Sequence, residues 1–238
     1  MADIKVPLLS VGNWGGILLH LRGNVEGYMN AGSELKYLRF VTGRHDLSFY
    51  SAENVGLQKS FLDAFLKGQD TLGWSTGKAP KVGFVTRKGN VGFNDPEAEK
   101  AFPYRFEKEW PLPYTEYTKF HLTSQMKLTA DRSPHQNDSQ KLISYRALGD
   151  LKNPQTVQFE TKPFEKETEF TGHIVVHLNV SATKDENSSA PGPSDIDLFV
   201  TIRHIAADGK EILYTGTVGD PVPVTKGWLR VSLRKINE

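Results

Sequence analysis

Apolar and polar residues follow two different patterns along this chain, and the change falls near residue 70. In the first part, the apolar runs 4–12 and 35–43 each end in glycine, as a buried parallel strand would. Segments 21–31 and 51–68 have the spacing of amphipathic helices, although two glycines weaken the first. Strand, helix, strand and helix in this order predict an α/β sheet.

The helix predicted at 51–68 carries suitable residues at both ends. Glu53 falls in its first turn and Lys67 in its last, which suits the helix dipole, and Gly68 is a plausible stop. We expect one face of this helix to be buried. That face consists of Leu57, Phe61, Leu62, Phe65 and Leu66.

Short alternating segments replace the helical pattern from about residue 80 onward. The clearest is 171–181, and 195–205 repeats its alternation. Asp208-Gly209 predicts a hairpin turn within 206–214. Many short strands at this spacing indicate an antiparallel sandwich or jelly roll. Further strand candidates lie at 82–87, 104–109, 117–122, 156–161 and 228–233.

The composition excludes several classes of site. The 238 residues hold 29 Lys and Arg against 28 Asp and Glu, so no long-range field is expected to gather nucleic acid or an anionic membrane. The absence of cysteine excludes thiolate catalysis and Cys-based metal sites. No apolar run approaches the roughly 20 residues that span a bilayer, and no signal peptide is visible, which favours a cytoplasmic location.

Residues Gly73 to Gly77 spell Gly-x-Ser-x-Gly, the nucleophile elbow of serine hydrolases, with Ser75 at its centre. An elbow needs an apolar strand before the serine and a helix after it. Here a predicted helix precedes Ser75 and a strand follows it. The best candidate histidine, His45, also precedes Ser75, which is the wrong chain order. We therefore interpret Ser75 as part of a linker.

His45 follows the predicted strand 35–43 by two residues and precedes the helix 51–68. A loop beyond the carboxyl end of a sheet strand is a suitable place for a catalytic histidine. The alternative is a packed or solvent-facing histidine with no catalytic role, because one histidine is weak evidence.

Two other groups of polar residues are candidate metal ligands. His173 and His177 would lie about 13 Å apart on a strand, at ~3.3 Å per residue, which is too far for one ion. Asp195 and Asp197 offer too few oxygen ligands for calcium, so solvation or packing at the edge of a sandwich is preferred.

Several longer segments, in this order, resemble the C-terminal half of the Xaa-Pro dipeptidyl-peptidase and cocaine-esterase-like acyl hydrolase family. The similarity covers nearly the whole chain and is more specific than any one motif. The segments are VPLLSVGNWGG, LHLRGNVEGY, LKYLRFVTGRHDLSFY, LQKSFLDAFLKG, FEKEWPLPYT, DIDLFVTIRHIAADGKE and GWLRVSLRK.

The resemblance implies that His45 is the catalytic general base, in a setting that includes Phe49 and Tyr50. It also implies a catalytic aspartate two residues after Trp14, but Gly16 stands there, and glycine cannot orient an imidazolium. Asp46 adjoins His45 in poor geometry, and Glu26 reaches only if its helix faces the site. The acid therefore stays unassigned.

The resemblance further implies that the nucleophile and the oxyanion hole lie upstream of this chain and that the sandwich is incomplete. The expected fold is the C-terminal fragment of an α/β-hydrolase sheet, followed by an antiparallel jelly-roll (galactose-binding-like) β-sandwich. The expected domains are 1–72 for the sheet, 73–80 for a linker and 81–238 for the sandwich.

The function implied by the resemblance is that of a serine hydrolase that cleaves ester or peptide bonds through an acyl-enzyme. The expected partner is a small ester or peptide substrate, with no nucleic acid, no membrane, no metal and no organic cofactor. This chain alone is expected to be inactive. The alternative is a non-catalytic β-sandwich module that binds carbohydrate or a protein.

Overall fold

The computed structural model describes residues 1–130, 142–147, 149–150, 152–187, 189 and 191–234. The described helices are α1 (Leu21–Asn30), α2 (His45–Phe49), α3 (Ala52–Leu66) and α4 (Pro96–Glu99). The strands are β1 (Leu8–Asn13), β2 (Lys36–Val41), β3 (Val82–Val85), β4 (Tyr104–Glu107), β5 (His121–Leu122), β6 (Leu128–Thr129), β7 (Asp197–Ile202), β8 (His204–Ile205), β9 (Glu211–Ile212), β10 (Tyr214–Thr215), β11 (Pro221–Val222) and β12 (Thr225–Arg230).

A four-stranded sheet in the order β1-β2-β3-β4 forms the centre of the first half. β1 and β3 both pair with β2 in parallel, and β4 pairs with β3 in antiparallel. The predicted α/β sheet is therefore present. Its parallel strands end together near Asn13, Val41 and Val85, and the candidate site lies at that edge.

Each face of this sheet is covered by a helix, because side chains on a strand alternate between the two faces. Leu38 and Phe40 are fully buried with Tyr28 of α1 in one apolar cluster. Tyr37 lies on the opposite face, in a cluster with Phe61 of α3. Burial on both faces explains why these strands are almost continuously apolar in sequence.

Glu53 lies in the first turn of α3 as predicted, but Lys67 is the C-cap and lies just beyond the last turn, and the predicted face is only partly correct. The Ser51 hydroxyl accepts a hydrogen bond from the Asn54 N–H at 3.3 Å, and Gly68 adopts a φ of +68° just beyond the helix. Phe61 is buried, whereas Leu62 and Leu66 are 50% and 77% exposed. The sheet meets a narrower stripe of the helix than the apolar spacing predicts.

The alternating segment 195–205 forms β7 and β8 as predicted, and Asp208-Gly209 forms the turn between β8 and β9. Ile205 pairs with Glu211, and Gly209 adopts a φ of +82°. β7 pairs with β12 over six residues, so that Phe199 lies opposite Trp228. The other described strands after β4 also form two-stranded ribbons.

The prediction of a strand at 171–181 is wrong. These residues form no ladder with the described part of the chain, and Ile174, Val176, Leu178 and Val180 are 40–51% exposed. An alternating pattern makes a strand only where a neighbour supplies hydrogen bonds and a covering layer. Among the residues that the structure describes, the candidate at 156–161 forms one bridge, between Glu160 and Lys127.

The chain is divided into two compact units, residues 113–173 and the remainder. Within 113–173, the short strands β5 and β6 pair with each other.

The jelly-roll arrangement and the boundary at 73–80 stay predictions, and part of the predicted sandwich, 131–141, lies outside the described residues. The four-stranded sheet continues past that boundary, because β3 and β4 belong to it. Over the ranges that the structure describes, no helix is long and apolar enough to cross a bilayer.

Candidate functional site

Two side chains at the end of β1 hold the carboxyl edge of the parallel strands together. The buried Asn13 amide donates to the Gly43 carbonyl at 2.9 Å, and its oxygen accepts from the Gly15 N–H at 2.7 Å. The Trp14 indole N–H donates to the Val85 carbonyl at 2.7 Å. The ends of all three parallel strands are thus fixed relative to one another.

His45 is the first residue of α2, directly after the turn that leaves β2. Gly43 in this turn has a φ of +85°, a conformation that other residues rarely adopt. The Ser48 hydroxyl donates back to the Thr42 carbonyl, and the His45 backbone N–H donates to the Thr217 carbonyl at 3.0 Å. The histidine therefore lies at a fixed point just beyond the end of β2.

The imidazole of His45 faces a second histidine. Nδ1 of His45 lies 2.8 Å from Nε2 of His20, and the ring centroids are 4.5 Å apart. Nδ1 of His20 lies 2.7 Å from Oδ1 of Asn24, one turn further along α1. A small pocket beside these rings is lined by residues that include Val41, Phe49 and Gln58.

Gly16 lies against the ring of His20. A Cβ added at Gly16 would come within 3.2 Å of the His20 Cε1 atom and 3.1 Å of the Asn13 carbonyl oxygen. The Gly16 carbonyl accepts the N–H groups of Leu19 and His20 at 3.0 and 3.2 Å, which starts the turn into α1. The position that the family resemblance assigns to a carboxylate therefore has no side chain, and an imidazole lies beside it.

The two other candidates for the catalytic acid have partners elsewhere. Glu26 accepts a hydrogen bond from the Asn30 side chain at 3.2 Å. Asp46 forms an ion pair with Arg44 at 3.5 Å on the surface. Both carboxylates are thus engaged by side chains other than His45.

Ser75 lies in a loop organised by Asp70. Its hydroxyl donates to Asp70 Oδ2 at 2.6 Å, and the backbone N–H groups of Gly73, Trp74 and Ser75 donate to the same carboxylate at 2.7–2.9 Å. The Ser75 hydroxyl bond, followed by these backbone bonds, lowers the pKa of Asp70 to about 2. The loop follows α3 and precedes β3, so the strand-to-helix context of an elbow is missing.

A second cavity adjoins the turn before His45, between Trp14, Arg87 and Tyr214. The Arg87 guanidinium lies 4.2 Å from the Tyr214 ring centroid and donates to the Val224 carbonyl at 2.9 Å. Burial lowers the pKa of Arg87 to about 10, against the opposite influence of Tyr214 and Glu99. These contacts hold the segment around β10 beside the carboxyl edge of the sheet.

Thr215 of β10 connects the same segment to α4. Its hydroxyl donates to Glu99 and accepts the Asn94 N–H, the latter at 2.7 Å. Since Thr217 follows two residues later and accepts the N–H of His45, β10 supports the histidine turn from the far end of the chain.

The other candidate metal ligands have ordinary roles in the structure. Asp197 forms a two-pronged pair with Arg230, both bonds at 2.8 Å, and Asp195 accepts from Ser232. These bonds lower the pKa of both carboxyls. His173 and His177 lie in the segment that forms no strand. No group of three potential metal ligands is found in the described portions of the chain.

His20 was not among the site residues predicted from the sequence. One signal for it is present in the sequence. His20 and Asn24 are spaced i and i+4 at the start of a predicted helix, and side chains at this spacing contact each other. The contact with His45 depends on how β1, α1 and β2 pack, which the local pattern does not encode.

Two crystal structures of a CocE/NonD family hydrolase from Staphylococcus aureus are similar to this chain. One is 26% identical with a TM-score of 0.65, over 99% of this chain and 38% of the hydrolase. The other is 25% identical with a TM-score of 0.63, over 98% and 37%. The chain thus spans less than two fifths of these proteins. A comparison with curated protein sequences gave no match.

The fold is similar to that of part of a CocE/NonD family hydrolase. Residues 75–238 match the X-Pro dipeptidyl-peptidase C-terminal non-catalytic domain, and the chain belongs to this family. The resemblance stated from the sequence is therefore confirmed. His20 and His45 lie before the matched residues, in the part that is shared with the solved hydrolases.

Proposed function

We propose that the chain is the C-terminal portion of a serine hydrolase of the Xaa-Pro dipeptidyl-peptidase or acyl esterase type. The observation that carries this proposal is the position of His45, beyond the carboxyl end of β2 in a sheet like that of a CocE/NonD hydrolase. His45 is the general base, and the nucleophile belongs to a segment upstream of residue 1. In this assignment, the hydrolase sheet consists of β1 to β4, and the later strands belong to a sandwich domain.

In the proposed reaction, His45 takes the proton of the serine hydroxyl as the serine attacks an ester or amide carbonyl. The same proton then passes to the departing alcohol or amine, and water repeats the cycle on the acyl-enzyme. Ser75 has no part in this reaction, because Asp70 binds its hydroxyl in the loop before β3.

A fluorophosphonate probe tests the proposal. We expect no labelling of the chain alone, and labelling once it is joined to the segment encoded upstream. His45→Gln in the joined protein should slow labelling by at least about 10³-fold, because the serine loses its base. His177→Gln is the matched control, since His177 is exposed in the segment that forms no strand. Labelling of the chain alone that is lost in Ser75→Ala would refute the proposal.

A second function, binding by the non-catalytic domain, is favoured by one observation. Phe199 and Trp228 lie opposite each other on β7 and β12 and are 79% and 53% exposed. Tryptophan is enriched at binding interfaces, because its ring is apolar and its N–H can still form a hydrogen bond. Fluorescence titration with oligosaccharides should then give a binding signal that Trp228→Ala abolishes and that Tyr117→Ala, at another exposed aromatic residue, leaves intact. Equal signals in both variants would exclude this surface.

A further inference from the structure

We infer that His20 is the positioning residue of His45: it accepts the Nδ1–H of His45 and so leaves Nε2 of His45 free to act as a base. The inference rests on the proposed role of His45 and deepens it. It assigns to a neutral imidazole the orienting task that a carboxylate performs in a Ser-His-Asp triad. The hydrogen bonds that support it start at β1 and run outward to His45.

The orientation of the Asn24 amide agrees with its contact to Ser10 of β1. The buried Ser10 hydroxyl donates its proton to the Asn24 backbone carbonyl at 3.0 Å. Its oxygen can then only accept from Asn24, whose Nδ2 atom lies 3.5 Å away. The amide oxygen, Oδ1, faces His20 in this orientation.

The Asn24 oxygen in turn fixes the tautomer of His20. An amide oxygen accepts hydrogen bonds and cannot donate them. Because it lies 2.7 Å from Nδ1 of His20, that nitrogen carries the proton. A neutral imidazole has one protonated nitrogen, so Nε2 of His20 has a free lone pair and is an acceptor.

The same reasoning extends to His45. Its Nδ1 lies 2.8 Å from the lone pair on Nε2 of His20, so Nδ1 of His45 is the donor. The remaining nitrogen, Nε2 of His45, then has its own lone pair available. This is the tautomer that a general base needs, because the base must accept the serine proton at Nε2.

Gly16 makes this arrangement possible. Its missing side chain leaves the space that the His20 ring uses, and a Cβ there would already touch that ring at 3.2 Å. His20 also has no competing role as a helix cap, since its side chain makes no capping bond at the start of α1. The chain thus replaces a charged acceptor with an uncharged one that reaches the same nitrogen of His45.

The test is an NMR measurement on the full chain with ¹⁵N-labelled histidine, in basic buffer where further added base no longer changes the ring shifts. We expect His20 and His45 both to show a protonated Nδ1 and an unprotonated Nε2. A scalar coupling across the hydrogen bond should join Nε2 of His20 to Nδ1 of His45. A protonated Nε2 on His45, or no coupling, would overturn the inference.

Variants separate orientation from a general structural effect. His20→Ala should move His45 toward a mixture of tautomers, whereas His20→Gln should preserve the Nδ1–H form, because its amide oxygen can accept the same proton. Asn24→Leu should weaken the preference, and Asn24→Asp should keep it. The ring ¹⁵N shifts of His204, whose Nδ1 lies 3.3 Å from the Tyr214 hydroxyl, show whether each variant is folded. An unchanged His45 tautomer in a folded His20→Ala variant would overturn the inference, and if that variant does not fold, the wild-type coupling decides.

A negative result of this experiment can be distinguished from a failure of the proposed function. It needs no nucleophile and no substrate, so a missing coupling refutes the role of His20 and leaves the role of His45 standing. A clear coupling, together with a His45→Gln variant of the joined protein that labels normally, would refute the proposed function instead.

Discussion

The central sheet and the β7–β12 ribbon contain similar residues but use them differently. Leu38, Phe40, Val82 and Phe84 of the sheet are at most 1% exposed. In the ribbon, Phe199, Trp228 and Leu229 are 44–79% exposed, although six residue pairs are in register. Hydrogen-bonded pairing is thus not enough to bury a strand. A layer on each face is what gives the sheet its packed core.

The largest difference between the two regions is expected from phenylalanine truncation. Phe40 stacks on Trp14 at 4.2 Å and also contacts Phe84 and Trp110. Phe40→Ala should therefore lower the free energy of unfolding by about 3–5 kcal/mol, whereas Phe199→Ala should change it by no more than about 0.5 kcal/mol. Urea denaturation of both variants measures this contrast. Equal losses would mean that a layer also covers the ribbon.

Two arginines, one buried and one exposed, should give the next largest contrast in the free energy of unfolding. The buried Arg39 donates to the carbonyls of Leu38 and Pro80 at 2.8 Å and to that of Lys81 at 3.3 Å, and burial lowers its pKa. Arg39→Met leaves these acceptors without their donor, so we expect a loss of about 3 kcal/mol. Arg230→Met removes an exposed pair with Asp197 and should have a much smaller effect in the same denaturation assay.

Two glycines near the site should respond in opposite directions to alanine. A Cβ at Gly15 would overlap the Thr215 carbonyl oxygen, so Gly15→Ala should destabilise the protein by on the order of 1–3 kcal/mol. Gly23 in α1 has open space around it, and Gly23→Ala should stabilise by about 0.5–1 kcal/mol, because alanine favours the helix. Thermal unfolding compares the two. A neutral Gly15→Ala would show that β10 can move away from the sheet.

The smallest effect concerns acid stability at the loop before β3. The pKa of Asp70 is about 2, below its ordinary value, so this carboxylate stabilises the fold above that ordinary value and stops doing so as the pH falls through about 2. Ser75→Ala should raise this pKa and be less stable than wild type near neutral pH, with the difference shrinking in acid.

Carboxyl ¹³C titration, combined with denaturation at several pH values, measures both effects of Ser75→Ala. Thr76→Ala is the control, because the Thr76 hydroxyl donates to the Gly73 carbonyl and not to Asp70. Equal pKa values of Asp70 in the two variants would contradict the assignment of the Ser75 hydroxyl as the main cause.

Local patterns were enough to predict the sheet and the position of His45. The apolar runs around Leu38 and Phe40 are buried on both faces, so they contrast sharply with their surroundings in sequence. The turn at Asp208-Gly209 is equally predictable, because a tight hairpin turn favours particular residue types such as Asp-Gly.

The failed predictions all depended on contacts between distant segments. The alternation from Ile174 to Val180 is correct for a strand, but no partner in the described residues pairs with it. The contact of His20 with His45 likewise joins residues 25 positions apart. Leu62 and Leu66 share the predicted apolar face of α3 but are exposed, because the spacing gives the direction of the face and not the width of its contact with the sheet.

The bond from the His45 N–H to the Thr217 carbonyl has a consequence for synthesis on the ribosome. A nascent chain completes β1, β2 and α3 long before Thr217 emerges, since domains begin to fold while translation continues. During that interval the backbone at His45 lacks its final partner. Ribosome-bound chains released before and after β10 should therefore differ in protection of this amide from hydrogen exchange, because the amide gains its acceptor only when Thr217 is present.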